Sequence, residues 1–159
     1  MAEATSKFDD LVLNGVLDKF RETMFNLWRA TADEVCADRL RAVFMECAYP
    51  DRELKPTVFG HLQPVMYFDE IRMLGEMVRA KCPGREQPLK GLTFVITHIK
   101  PYHDANYQKY KEVKGGKATV EELTEHQFND LYDQHCAAED SVCHGVKFLI
   151  PEQGTVVSM

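Results

Sequence analysis

Two short apolar runs, RAVFMECAY at residues 41–49 and LTFVITHIKP at 92–101, bracket a stretch whose apolar residues return every three to four positions. Runs of this length, closed by Pro50-Asp51 and by Pro101, predict buried strands, and the second is rich in β-branched residues. Between them Val65, Met66, Phe68, Ile71, Leu74, Met77 and Val78 predict an amphipathic helix over Gln63–Cys82. Pro64 suits its first turn, and Pro83-Gly84 ends it. The flanks continue the alternation. Phe8–Asp38 has helical spacing, with Gly15 as an interruption, and Thr119–Ala138 is helical with Glu122 placed three residues after Thr119 for a capping box. VKFLI at 146–150 predicts a third strand, and Gln153-Gly154 turns the chain into a last short one, TVVSM. The polar, tyrosine-rich segment Tyr102–Ala118, with Gly115-Gly116, is expected to be a long surface loop. Helices alternating with strands mean an α/β sheet covered by helices, here a single unit spanning residues 1–159 without repeats or a low-complexity linker.

Composition narrows the function classes. The content, 45% hydrophobic and 28% charged, is that of a globular protein. With 25 acidic against 19 basic residues the net charge is −6, which disfavours a general nucleic-acid surface because polyanion affinity is built on clustered Lys and Arg. No run approaches the roughly 18 apolar residues of a membrane span, and MAEATSKFDD lacks the pattern of a signal peptide. A cytoplasmic chain that engages neither nucleic acid nor membrane is expected. The five cysteines, Cys36, Cys47, Cys82, Cys136 and Cys143, form no CxxC pair and no zinc spacing, and are expected to be free thiols.

Three residues place an ionisable group at the edge of an apolar element. Glu46 lies inside a strand, where a carboxylate must be paired or close to solvent; it is either a partner that orients a histidine or an outward-facing residue. His61, in FGHL just before the helix, stands where free amides bind anionic oxygen, which suits acid–base work as well as a capping role. His98 ends a buried strand, and ligands of open α/β sheets bind outside the carboxyl ends of strands; a structural histidine is the alternative. His103, His126, His135 and His144 read as surface residues. The chain has no Gly-rich phosphate loop, no GxSxG elbow and no HExxH pair.

Taken together, MECAYPDRE, FGHLQP followed by DEIRMLGEM, LKGLTFVITHIKP and GVKFLIPEQG resemble, in that order, the C-terminal half of the class II cyclic-nucleotide phosphodiesterases. These are metallo-β-lactamase-fold hydrolases that open the cyclic phosphate of cyclic AMP or cyclic GMP. The tRNA-processing nucleases of the same fold show a similar order: a Glu-bearing strand, a Gly-His before a helix, and a strand ending in Thr-His. The resemblance implies a partial αββα layer, a small mixed sheet with helices packed on it. It also implies that His98 holds one of two divalent ions, zinc, that His61 is the acid toward the leaving oxygen, and that Glu46 orients His61. The family's HxHxDH motif, its next metal histidine and its bridging aspartate belong to the N-terminal half and do not occur here. The expectation is therefore a phosphodiesterase half with an incomplete metal site, inactive alone, acting on a cyclic nucleotide once paired with the missing half. The alternative is a non-catalytic α/β interaction or dimerisation module, a homo-oligomer.

Overall fold

The computed structural model describes Lys19 and residues 22–50, 62–100 and 105–151. A helix over residues 22–36, α1, leads into strand β1, Ala42–Glu46. Helix α2, Pro64–Lys81, connects β1 to β2, Thr93–Thr97. Two helices, α3 (Ala105–Val113) and α4 (Val120–His135), then connect β2 to β3, Lys147–Leu149. The α/β expectation holds, and the three described strands pair only in parallel, in the order β1-β2-β3. Parallel neighbours require a long crossover, which α2 supplies once and α3 with α4 supply again. The expected last strand and its turn, and the Gly15 interruption, lie outside the described residues.

Side-chain alternation along the strands decides where the core sits. Val43, Phe94 and Phe148 share one row, and Met45 with Ile96 another; all five join the core cluster of α1, α2 and α4. Trp28, Ala32 and Val35 come from α1, Phe68, Ile71, Leu74 and Val78 from α2, and Phe128 from α4. At its centre, the rings of Tyr67, Phe68, Phe128 and Phe148 meet tilted or edge-on, with centroids 5.1–5.6 Å apart. Each such ring contributes roughly 1.5–3 kcal/mol by leaving water. The edge-on pairs add about 0.5–1.5 kcal/mol. The Trp28 indole donates to Glu70 near the start of α2, and Lys81 at its end pairs with Asp33, so α1 and α2 lie side by side in the same sense.

Two expectations are corrected. The segment read as a loop contains α3, a second turn of core built by Tyr107 against Val120 and Leu123 of α4, with Ile99 and Tyr110 beside them. The Tyr107 hydroxyl donates to the Ala118 carbonyl at 3.0 Å, and Gly115 and Gly116, both at positive φ, stop the helix with the Gly116 amide on the Lys111 carbonyl. Nor are the cysteines all free thiols. Cys36 is bonded to Cys82 and Cys136 to Cys143, with Cα separations of 6.2 and 5.0 Å, and Cys47 keeps a buried thiol. Cys36 and Cys82 are 46 residues apart in sequence, so only the packing of α1 along α2 brings them together. Both cystines sit at the pole where the strands begin, and the cysteines give no support to a reducing compartment. No helix among the described residues is long and apolar enough to cross a membrane.

Candidate active site

The strand-end pole is assembled by register and by three backbone bonds. Glu46, the last residue of β1, pairs with Thr97, the last residue of β2, and His98 follows directly. The Cys47 amide donates to the Thr97 carbonyl at 3.0 Å, the Ala48 amide to the Leu62 carbonyl at 3.1 Å, and the Lys100 amide to the Ala48 carbonyl at 2.9 Å. The turn after β1 is thereby clamped between the end of β2 and the entry of α2. The Lys100 ammonium stands 5.4 Å from the Tyr49 ring centroid, a further tie across the turn.

His98 ends its strand by leaving extended conformation: its φ is +63°, in the left-handed region that side chains other than Asn, Asp and His seldom enter. The residue is exposed at the carboxyl end of the sheet, and Glu46, opposite Thr97 on the neighbouring strand, is half-buried. Of the three candidate residues, Glu46 and His98 are thus brought to one edge by the parallel register. His61 lies outside the described residues, although Leu62, next to it in sequence, is bonded to the turn after Glu46. His103 also lies outside them.

The other histidines serve α4. His126 faces Asp130 one turn on, at 3.4 Å, and His135 is exposed at the helix end. His144 places Nδ1 3.2 Å from the Cys136 carbonyl and 3.1 Å from that of Ala137, donating to the unsatisfied end of the helix. Sequence reading passed over Gln63 and Tyr67, both buried at the head of α2. Their signal was the i,i+4 spacing of two polar-tipped residues on the inner face of α2.

A model of the class-II cAMP phosphodiesterase family matches residues 17–126, well over half of the chain, and the match spans Glu46, His61 and His98. The chain belongs to this family. A probable 3',5'-cyclic-nucleotide phosphodiesterase of Yersinia pestis is 31% identical over 128 residues, covering 80% of this chain and 30% of the relative. The cAMP/cGMP-dependent 3',5'-cAMP/cGMP phosphodiesterase 7 of Dictyostelium discoideum is 26% identical over 136 residues, 86% of this chain and 27% of its own length. The crystal structure of unliganded yeast PDE1 shares the fold at a TM-score of 0.60 and 17% identity, over 82% of this chain and 30% of that one. The chain thus spans less than a third of these curated relatives.

Metal dependence is a property of the family that this chain matches. A catalytic zinc takes about three protein ligands. Among the described residues no three His, Cys, Asp or Glu side chains converge to form such a set, and His98 offers a single imidazole. The described residues therefore do not fit a complete metal centre.

Proposed function

We propose that this chain carries the second-half site residues of a cytoplasmic 3',5'-cyclic-nucleotide phosphodiesterase and turns over cyclic AMP or cyclic GMP only when joined to the remainder of the domain. The observation that carries the reading is the strand-end register, with Glu46 opposite Thr97 and His98 directly beyond it at the sheet's carboxyl edge. In this reading Glu46 and His61 are the acid–base pair. His61 gives its proton to the departing ribose 3′ oxygen, and the Glu46 carboxylate orients the imidazole and favours its charged form. His98 supplies one ligand to a divalent ion, zinc, whose other ligands come from the part of the domain that this chain does not align with. An acidic chain suits a single small anion held at a local site better than a long polyanion held by broad basic surface.

The test uses the chain alone and as a fusion. Alone, after equilibration with zinc, it is expected to hold well under one metal per chain by elemental analysis and to leave cyclic AMP intact. Joined to the part of the Yersinia pestis relative outside the aligned 128 residues, it should gain hydrolysis, and His61→Ala and His98→Ala should each abolish it. Stoichiometric zinc and turnover by the isolated chain would sink the half-site reading.

A non-catalytic interaction module is favoured by one feature. Phe44, in the middle of β1, is 62% exposed on a strand that pairs with β2 alone among the described strands, beside Met24, Leu27 and Leu40. Exposed strand edges and apolar patches attract partners. A concentration-dependent dimer by light scattering that Phe44→Ser dissolves would support that reading, and a monomer at all concentrations would remove it.

A further inference from the structure

At the head of α2 two polar side chains are buried, each with one atom that finds no hydrogen-bond partner among the described residues. Gln63 is the N-cap residue and is 1% exposed, yet its side chain makes no capping bond, and its Nε2 finds no hydrogen-bond partner among the described residues. Tyr67 is fully buried, with its ring edge-on to Phe94 and Phe128, and its hydroxyl is likewise unpartnered. Buried polar groups in folded proteins are paired with few exceptions, and an unpaired donor bears its whole desolvation penalty. Two such donors one helical turn apart, on one face of a helix, are not a random defect.

Both residues have neighbours in the turn after β1. Tyr67 and Cys47, the residue that follows Glu46, are buried in one cluster, and burial holds the Tyr67 phenol above its ordinary range, with the Cys47 thiol adding to the effect. Gln63 follows Leu62, whose carbonyl takes the Ala48 amide. Gln63 thus adjoins a residue bonded to the turn after β1, and Tyr67 shares its buried cluster with the first residue of that turn. An internal water makes about three hydrogen bonds, and it requires polar groups of this kind.

We propose that Gln63 and Tyr67 are positioning residues that share one internal water beneath the Cys47–Tyr49 turn. The water accepts from the Gln63 amide and the Tyr67 hydroxyl and donates to the turn, locking the segment that carries Glu46 against the segment that follows His61. The consequence for Glu46 and His61 rests on the phosphodiesterase reading; the water site itself does not.

The experiment is hydrogen exchange on the 159-residue chain, with Tyr67→Phe and Gln63→Met, each of which removes the donor at nearly constant volume. Exchange of the Cys47, Ala48 and Lys100 amides should quicken about tenfold or more in each variant, while the Phe94 and Val95 amides in mid-strand change far less. The double variant should match the single ones, because one water is lost only once. Unchanged protection at the turn, or a rise in melting temperature in either variant, would show donors that are merely unpaired and overturn the proposal. On the unaltered chain, magnetisation transfer from a long-lived water to the Gln63 side-chain amide is expected, and its absence has the same force should a variant fail to fold.

Discussion

Gly75 of α2 lies so close to Val142 that a Cβ added to it would stand 2.7 Å from the Val142 Cβ and 3.0 Å from its carbonyl oxygen. Val142 has little room to retreat, because its neighbour Cys143 is bonded to Cys136 and Ser141 donates to the His135 carbonyl at 2.7 Å. Ordinary carbon contacts need about 3.5–4.0 Å. Gly75→Ala would gain about 1 kcal/mol of helix propensity. Overpacking costs about 1–3 kcal/mol and wins. The variant should be less stable by roughly 1 kcal/mol in urea unfolding. Val142→Ala should not rescue it, since the Cβ contact remains. A gain in stability for Gly75→Ala would show that the β3 approach segment can move.

His98 gives the second prediction. A left-handed conformation costs a residue with a Cβ about 1–2 kcal/mol, which glycine avoids at an entropic cost of about 0.5–1 kcal/mol. His98→Gly should therefore be more stable than His98→Ala by about 1 kcal/mol, although both lose the imidazole. Thermal melts of the two variants decide it. Equal stability would mean that the backbone relaxes once the histidine is gone. The positive φ would then be held by the side chain's own contacts.

Local rules were readable wherever one residue type dictates one conformation. Thr119 and Glu122 announce the start of α4, and the structure has both halves of the box: the Glu122 amide donates to the Thr119 hydroxyl and the Thr119 amide to the Glu122 carboxylate. Pro64 at the head of α2 and the β-branched run of β2 were equally plain. What could not be read depends on distant partners. Helix α3 is polar and short, and it owes its burial to Tyr107 finding Val120 and Leu123 after the chain has turned. The cystines needed α1 beside α2. The strand LTFVITHIKP ends at Thr97 instead of running to the proline because His98 takes a left-handed φ. Glu46 and His98 could be singled out one by one; that they stand at one edge of the sheet is a property of parallel register.

The capping box predicts a modest, separable effect. Thr119→Ala should cost about 1 kcal/mol. Thr119→Ser, which keeps the hydroxyl, should stay close to the parent. Because Val120 and Leu123 carry the small α3 core, loss of the cap should also raise amide exchange through residues 107–113. Destabilisation confined to α4 would separate the two helices energetically.

Tyr67 predicts an alkaline dependence. Burial raises its pKa, so the sign is that of an acid kept neutral in the fold. Its contribution is complete below the ordinary phenol pKa near 10 and is lost as pH rises beyond it. Above pH 10 the folded chain should lose about 1.4 kcal/mol per pH unit more than Tyr67→Phe does. Parallel pH profiles for the two proteins between pH 9 and 11 would mean that the phenol ionises in place.

The cystines make a prediction that separates stability from site geometry. Denatured without reductant, the chain should show one reactive thiol, Cys47, and after reduction five. Loop-closure entropy assigns about 4 kcal/mol to the Cys36–Cys82 bond, with its separation of 46 residues, and about 2 kcal/mol to Cys136–Cys143, with its separation of 7. Cys36→Ser should therefore lower stability more than Cys136→Ser. Both bonds lie at the pole where the strands begin, so neither variant should alter amide exchange at Cys47, Ala48 or Lys100 beyond the global change. Five thiols in the unreduced chain would remove both bonds from the native state. They would also restore the argument for a reducing compartment, where such pairs stay open.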